Sequence, residues 1–279
     1  MREIDTAISP CPNDTFIFRH YAQPGFMPFP VRLVFADVEE LNRRAIEQKL
    51  HAVTKLSYHA MSVLLDSYDL LSAGGALGRG CGPLLIASNQ EAAERFQKSP
   101  QTIKRVFIPG QWTTAHLLAR LYLKDRGVDV SKIVFEPRRY DLIIRELKTS
   151  SENLGLIIHE ERFTYQAAGL VSVQDLGEWW EKDTGLPIPL GCIGVRKDVP
   201  DQMKEEIEAG IKRSLEKAWA EPESVMDLVR PNAQAMEDSV MRSHIELYVN
   251  PYSLDPGEEG RKAIALLFEK AREKTASSF

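Results

Sequence analysis

Short apolar runs alternate along this chain with longer stretches in which apolar residues recur every three or four positions. The short runs read as strands and the longer stretches as amphipathic helices, so the pattern is α/β. It predicts strands at Ile4–Ser9, Val31–Phe35, Ala52–Thr54, Leu70–Ser72 and Pro83–Ser88. Beyond a polar stretch at Asn89–Gln101, further strands fall at Arg105–Pro109, Ile133–Glu136, Leu154–His159 and Ser172–Asp175, followed by a longer extended segment at Ile188–Arg196. From Asp201 onward the pattern is almost wholly helical. Ile207, Ile211, Leu215 and Trp219 share one helical face there, and Pro222, Pro231, Pro251 and Pro256 punctuate the helices.

Two breaks organise the chain. One is the polar stretch near Asn89–Gln101. The other is Thr184–Gly191, where two prolines precede the long extended segment. The simplest arrangement is two α/β lobes, with residues 100–187 inserted into an outer lobe built from 1–99 and 188–279. Two chain crossings then form a hinge, and a cleft between such lobes is where a small ligand binds.

Composition narrows the function classes. A chain of 279 residues buries roughly 75% of its unfolded surface, so its core needs no disulfide or metal support. Lys and Arg number 35 against 40 Asp and Glu, a net charge of -5, which argues against nucleic acid as a partner. A small anion needs only a few local donors and stays open. No apolar run approaches the ~18 residues that span a bilayer. The opening MREIDTAISPCPND carries Glu3 and Asp5 where a signal peptide is apolar. Cys11, Cys81 and Cys192 are odd in number and far apart, which suits a reducing compartment. A cytoplasmic protein without membrane anchor, metal or obligate protein partner is expected.

Several predicted strands run into helix starts that carry hydroxyl or amide groups. Asn13, Asp14 or Thr15 caps the helix after the first strand, Ser57 opens another, and Thr113 and Thr114 a third. A helix start offers unpaired N–H groups and the positive end of a dipole, and so receives carboxylates and phosphates. The same residue types are ordinary caps in nearly every helix. Ligands of α/β sheets gather at the carboxyl ends of the strands, which favours one of these positions as a site.

His159 ends the apolar run LGLIIH, so a buried strand carries an imidazole at its carboxyl end. That suits proton abstraction. The alternative is a structural histidine bonded to a carbonyl or to Glu160 or Glu161. The other histidines form no H-E-x-x-H pair, so the sequence suggests no metal site. The segment AGGALGRGCGP fits no nucleotide-binding fingerprint. Its glycines permit close backbone approach, and Arg79 within it is either a carboxylate partner or a solvated loop residue. Trp179 and Trp180 serve helix packing or form a stacking wall. No Ser-His-Asp order, G-x-S-x-G elbow or Cys-His pair supports nucleophilic hydrolysis.

SPCPNDTFIF (Ser9–Phe18), DVEELNRRA (Asp37–Ala45), TKLSYHA (Thr54–Ala60), GGALGRGCGPL (Gly74–Leu84), GLIIHEERFTY (Gly155–Tyr165) and LGEWWEKDTGLPIPLG (Leu176–Gly191) together resemble the 1,4-dihydroxy-6-naphthoate synthases. The resemblance runs to YVNPYSLDPGEEG (Tyr248–Gly260) and covers most of the chain. It implies an α/β, two-lobed, periplasmic-binding-protein-like fold of class II, used as an enzyme of the futalosine route to menaquinone. It implies a lyase that converts cyclic dehypoxanthine futalosine, a carboxylate, to 1,4-dihydroxy-6-naphthoate and dihydroxyacetone without metal or organic cofactor. The family's general base matches His159. Its binding hydroxyls match Ser57 and Thr114, with the N–H of Ala115 beside the latter. Thr113, Asn13, Asn42 and Arg79 complete the candidate binding set, with their roles undivided.

Two rivals share the fold. A chorismate dehydratase of the same pathway is expected to carry Tyr-x-Asn after the first strand, where this chain has Ser9-Pro-Cys-Pro-Asn. A carboxylate solute-binding protein needs export and has no use for a base at His159.

Overall fold

The computed structural model describes residues 3–233 and 237–276, which form two compact units. One comprises residues 1–78 and 189–279, the other residues 79–188. The chain thus enters the second unit at Arg79, not at residue 100 as the polar stretch suggested. The polar stretch is instead a helix inside that unit, and the strand before it is hydrogen-bonded into the second unit's sheet.

In chain order the first unit begins with β1 (Ile4–Ile8), α1 (Pro12–Phe18), β2 (Val31–Phe35), α2 (Val38–Gln48), β3 (Val53–Ser57), α3 (Tyr58–Met61), β4 (Tyr68–Leu70) and β5 (Ala76–Gly78). The second unit follows with β6 (Leu84–Ala87), α4 (Gln90–Lys98), β7 (Arg105–Ile108), α5 (Thr114–Asp125), β8 (Val134–Pro137), α6 (Tyr140–Leu147), β9 (Leu154–Ile157), α7 (Glu161–Thr164), β10 (Val171–Asp175) and α8 (Leu176–Thr184). The first unit is completed by β11 (Ile188–Arg196), α9 (Asp201–Ala220), α10 (Met226–Asn232), α11 (Asp238–Tyr248) and α12 (Gly257–Ala276).

Among the described residues the first sheet runs β2-β1-β3-β11-β4, with β5 also paired to β11. β2, β1 and β3 are parallel, and β11 is antiparallel to β3 and β4. The second sheet runs β10-β6-β9-β7-β8. Here β8, β7 and β9 are parallel, while β6 is antiparallel to both β9 and β10. Parallel strands joined through helices put their carboxyl ends on one edge, so the loops after β1 and β3 are neighbours in one unit, and those after β7 and β9 in the other.

Each unit has its own core. Ile8, Ile17 and Phe18 pack with Ile193, Ile207 and Ile211 in the first. Leu84, Ile86, Phe107, Ile143 and Ile157 pack together in the second. The apolar stripe of α9 ends at Ala218, since Trp219, expected on it, is 38% exposed. Each four-residue step turns the direction by about 40°, so over the three steps from Ile207 the drift reaches about 120° and carries the indole off the buried face.

Every residue of α1 is buried, polar ones included. Asp14 accepts from the N–H and hydroxyl of Ser9 at 3.2 and 2.7 Å and takes the Lys55 ammonium at 2.6 Å. The glycine-rich segment also has a packing reason. A Cβ on Gly82 would stand 2.2 Å from the backbone nitrogen of Gly177, so the turn before β6 lies directly against the start of α8. No described helix is long and apolar enough to cross a membrane.

Removing one member of a buried ion pair strands the other charge without water, which typically costs about 3–5 kcal/mol. Lys55→Met is therefore expected to destabilise the protein by about that much. Urea titration at pH 7 checks it; a loss below about 1 kcal/mol would show that Asp14 is satisfied without its lysine.

Candidate functional site

The candidate residues fall into two groups, one in each unit. In the first unit Ser57 is the last residue of β3 and the cap of α3. Asn42, on α2, lies beside it. The Asn42 Oδ1 accepts from the Ser57 backbone N–H at 2.9 Å, and Nδ2 donates to Ser57 Oγ at 3.0 Å. Nδ2 also donates to Glu39 Oε2 at 3.3 Å. Asn42 is wholly buried, so it stands behind the serine.

Asn13 and its neighbours do not cap α1 as expected. Cys11 occupies the cap position and Pro12 starts the helix, which puts Asn13, Asp14 and Thr15 inside it. Asn13 Nδ2 donates to Asp14 Oδ1 at 2.8 Å, while its Oδ1 lies 3.0 Å from His244 Nε2. The polar groups of SPCPND thus converge on Asp14 and, through it, on Lys55 of β3. The sequence alone did not single out Lys55. The signal was a charged residue within the apolar run VTKLS.

In the second unit two groups meet at one edge of the sheet, since β7 and β9 are parallel neighbours. After β7 the chain turns into α5. Thr113 caps the helix, donating its hydroxyl to Gly110 O at 2.8 Å and accepting from the His116 N–H at 3.2 Å. Thr114 and Ala115 are the first two helical residues. Their N–H groups precede the intrahelical ladder and belong to the positive end of a twelve-residue helix.

After β9 comes His159. The strand stops at Ile157, two residues earlier than the sequence suggested, so the imidazole sits in a turn leading into α7. His159 adopts a left-handed backbone with φ of 56°. For a residue with a side chain that conformation is uncommon and must be held by its surroundings. Contacts of the neighbouring residues frame this turn. The Tyr140 ring meets the imidazole edge-on at 5.2 Å between centroids, and its hydroxyl lies 3.4 Å from Glu160 Oε1. Arg162, on α7, donates to Gly82 O and to Asp175 Oδ2, both at 2.6 Å. Neither Tyr140 nor Arg162 was legible as part of the site, because their partners lie 13 to 80 residues away in sequence.

Glu160 and Glu161 are both buried. Burial pushes both carboxyls up, and for Glu161 the neighbouring charges of Glu160 and Asp141 add to it, to about 9. Glu161 is therefore a neutral acid at pH 7. Arg79 is occupied elsewhere in its unit, donating to Gly185 O at 2.9 Å, with Glu181 at 3.9 Å. Trp180 is wholly buried and donates to Pro187 O at 3.1 Å. Trp179 donates to Asp125 and packs edge-on against Tyr122. Packing accounts for both indoles. Among the described residues no group of three or more His, Cys, Asp or Glu is arranged to hold a metal ion.

The raised Glu161 carboxyl carries a pH signature. Below about pH 4.5 folded and unfolded chains both hold its proton, and no stability is lost. Between there and about 9 only the unfolded chain releases it, so stability declines as pH rises. Glu161→Gln is expected to match the wild type near pH 4.5 and to melt progressively higher than it toward pH 8. Melting temperatures across that range check this. A constant difference would mean that Glu161 ionises normally in the fold.

Comparison with known proteins agrees with this architecture. The family model described as menaquinone biosynthesis matches residues 4–273. A 1,4-dihydroxy-6-naphthoate synthase of Thermus thermophilus is 43% identical over 97% of this chain and 94% of its own length. One from Streptomyces coelicolor is 39% identical over 96% and 92%. A crystal structure of an Archaeoglobus fulgidus protein, 29% identical, superposes with a TM-score of 0.86 over 98% of both chains. The periplasmic aliphatic sulphonate binding protein of Escherichia coli, 9% identical, superposes with a TM-score of 0.68 over 99% of this chain and 88% of its own. That likeness shows the fold, which is α/β and periplasmic-binding-protein-like. The chain belongs to the menaquinone-biosynthesis family, alongside the 1,4-dihydroxy-6-naphthoate synthases.

Proposed function

We propose that this chain is a carbon–carbon lyase that forms 1,4-dihydroxy-6-naphthoate and dihydroxyacetone from cyclic dehypoxanthine futalosine, with His159 as general base. The observation that carries the reading is the shared edge of the second sheet. It sets His159, after β9, beside the helix start after the parallel neighbour β7. A base and an anion receptor on adjacent strands suit a substrate that carries both an acidic C–H and a carboxylate.

In this reading the substrate carboxylate accepts from the Ala115 N–H and the Thr114 hydroxyl, where the dipole of α5 favours negative charge. Thr113 serves as the cap that keeps this helix start in shape. His159 takes a proton from the cyclised substrate, and the electron pair moves into the ring as the bond to the sugar-derived fragment breaks. The fragment leaves with a proton returned from the base. Aromatisation drives the step, so the reaction draws on no redox or electrophilic cofactor. What remains for the protein is positioning and proton transfer, the latter worth roughly 10²–10⁴-fold. The left-handed backbone at His159, held through Tyr140 and Arg162, supports such a positioned base. The names of the two close relatives weigh for this reaction over chorismate dehydration or solute capture.

Purified protein with cyclic dehypoxanthine futalosine, and no added metal or cofactor, is expected to yield naphthoate by absorbance and mass spectrometry. His159→Asn is expected to turn over at least about 10²-fold more slowly while binding substrate within a few-fold of wild type. Near-full activity in that variant would place the base elsewhere. Absence of naphthoate with the wild type would overturn the reading.

A further inference from the structure

We propose that His116 is a positioning residue for the anion receptor: its imidazole ties the loop before α5 to the first turn of the helix and so keeps that helix start shaped for a carboxylate. The inference rests on the functional reading above, which seats the substrate carboxylate on the Ala115 N–H and the Thr114 hydroxyl. Every residue it uses lies in the second unit.

A carbonyl oxygen can only accept, and the Gln111 oxygen lies 2.9 Å from His116 Nδ1. That nitrogen therefore carries a hydrogen and donates it. Thr113 makes a companion bond, its hydroxyl donating to Gly110 O at 2.8 Å. The same Thr113 oxygen accepts the His116 backbone N–H at 3.2 Å, so the two residues brace each other. Two successive carbonyls of the loop are thus claimed by side chains of α5 and its cap. A peptide unit is planar, so a carbonyl held in place fixes the N–H that follows it. The intrahelical ladder opens with the Leu117 N–H on Thr113 O at 3.3 Å, and the Ala115 N–H stands ahead of it.

The imidazole has little freedom of its own. His116 is 6% exposed, and the Phe135 ring of β8 packs against it at 4.8 Å between centroids. Gln111 is exposed, so a buried ring holds an exposed loop from the inside. A loop fixed before the ligand arrives does not have to be ordered by it, which favours binding. Without the Nδ1 donor the Gln111 peptide is free to turn, and a carbonyl oxygen brought toward the helix start opposes an anion. A ligand without a carboxylate is indifferent to that change. Losing one such hydrogen bond reads as about tenfold in affinity.

The test is an anaerobic titration of 1,4-dihydroxy-6-naphthoate and of 1,4-dihydroxynaphthalene, which lacks the carboxylate. The proteins are wild type, His116→Leu, His116→Ala, His116→Asn and Thr114→Ala, with folding verified by circular dichroism melts. Asn sets an amide nitrogen in the place of Nδ1 and keeps the donor, whereas Leu sets a methyl group there. His116→Leu is expected to weaken naphthoate binding about tenfold and to leave the naphthalenediol within about threefold of wild type. His116→Ala, which also lacks the donor, stands in if His116→Leu does not fold. His116→Asn is expected to recover most of the loss. In turnover of cyclic dehypoxanthine futalosine the larger part of the effect of His116→Leu is expected in KM, not in kcat. Unchanged naphthoate binding in the folded donor-less variant would overturn the proposal. So would equal losses for both ligands, or a loss in His116→Asn as large as in His116→Leu. Thr114→Ala judges the underlying reading separately. If it leaves naphthoate binding unchanged, the carboxylate does not sit at α5 and this inference falls with the reading; if it weakens binding, the variants judge His116 alone.

Discussion

A lysine ammonium and a carboxylate meet at 2.6 Å in the interior of the first unit, with side-chain exposures of 6% and 0%. Neither charge is tolerable there alone, since an unpaired ion out of water costs several kcal/mol. The pair therefore dictates its surroundings. Asp14 needs donors for both oxygens, and Ser9, Asn13 and Lys55 supply them. Asn13 in turn engages His244 from α11. These bonds tie the end of β1, the first turn of α1, β3 and a helix from the far end of the chain into one polar cluster. Lys55 and Ser57 are two residues apart on β3 and so share a face of the sheet. Whatever fixes Lys55 also fixes the strand end that carries Ser57.

The second unit solves a related problem with an arginine. His159 occupies a backbone conformation that an ordinary residue avoids, and α7 follows it at once. A four-residue helix has little stability of its own. Arg162 anchors it by a fork to a backbone carbonyl and to Asp175, which also caps α8. The close approach of Gly82 and Gly177 brings those two acceptors within reach of one guanidinium. Two glycines, one arginine and one aspartate together hold the turn that presents the imidazole.

Much of this was legible in the sequence. Apolar runs mark real strands: Val31–Phe35, a partly exposed edge strand, and Ile188–Arg196, buried along most of its length, match to the residue. The helix start at Thr113 was legible because capping is a local code, whereas Ser57 stands at the start of α3 without a side-chain capping bond. What escaped is set by contacts distant in sequence. The strand Ala76–Gly78 is three residues long and exists through its pairing with β11, which no local pattern reports. The unit boundary was misplaced because the polar stretch looked like a linker, whereas α4 is an amphipathic helix with Ala92, Ala93 and Phe96 turned inward. Asn13 and Asn42 looked like ligand-facing amides from strand order alone. Only the fold reveals that Asp14 and His244 occupy one amide and Ser57 the other. The likeness to a known family supplied the reaction; composition and periodicity reached only an α/β protein with room for a small anion.

The central claim is that a base on one strand end and an anion receptor on its parallel neighbour act on one substrate. A crystal structure of His159→Asn soaked with cyclic dehypoxanthine futalosine tests it most directly. The account predicts the substrate carboxylate on the Ala115 N–H and the Thr114 hydroxyl. It also predicts the carbon that loses its proton within roughly 3–3.5 Å of the residue 159 side chain. A carboxylate bound away from the start of α5, or a reacting carbon turned from residue 159, would contradict it.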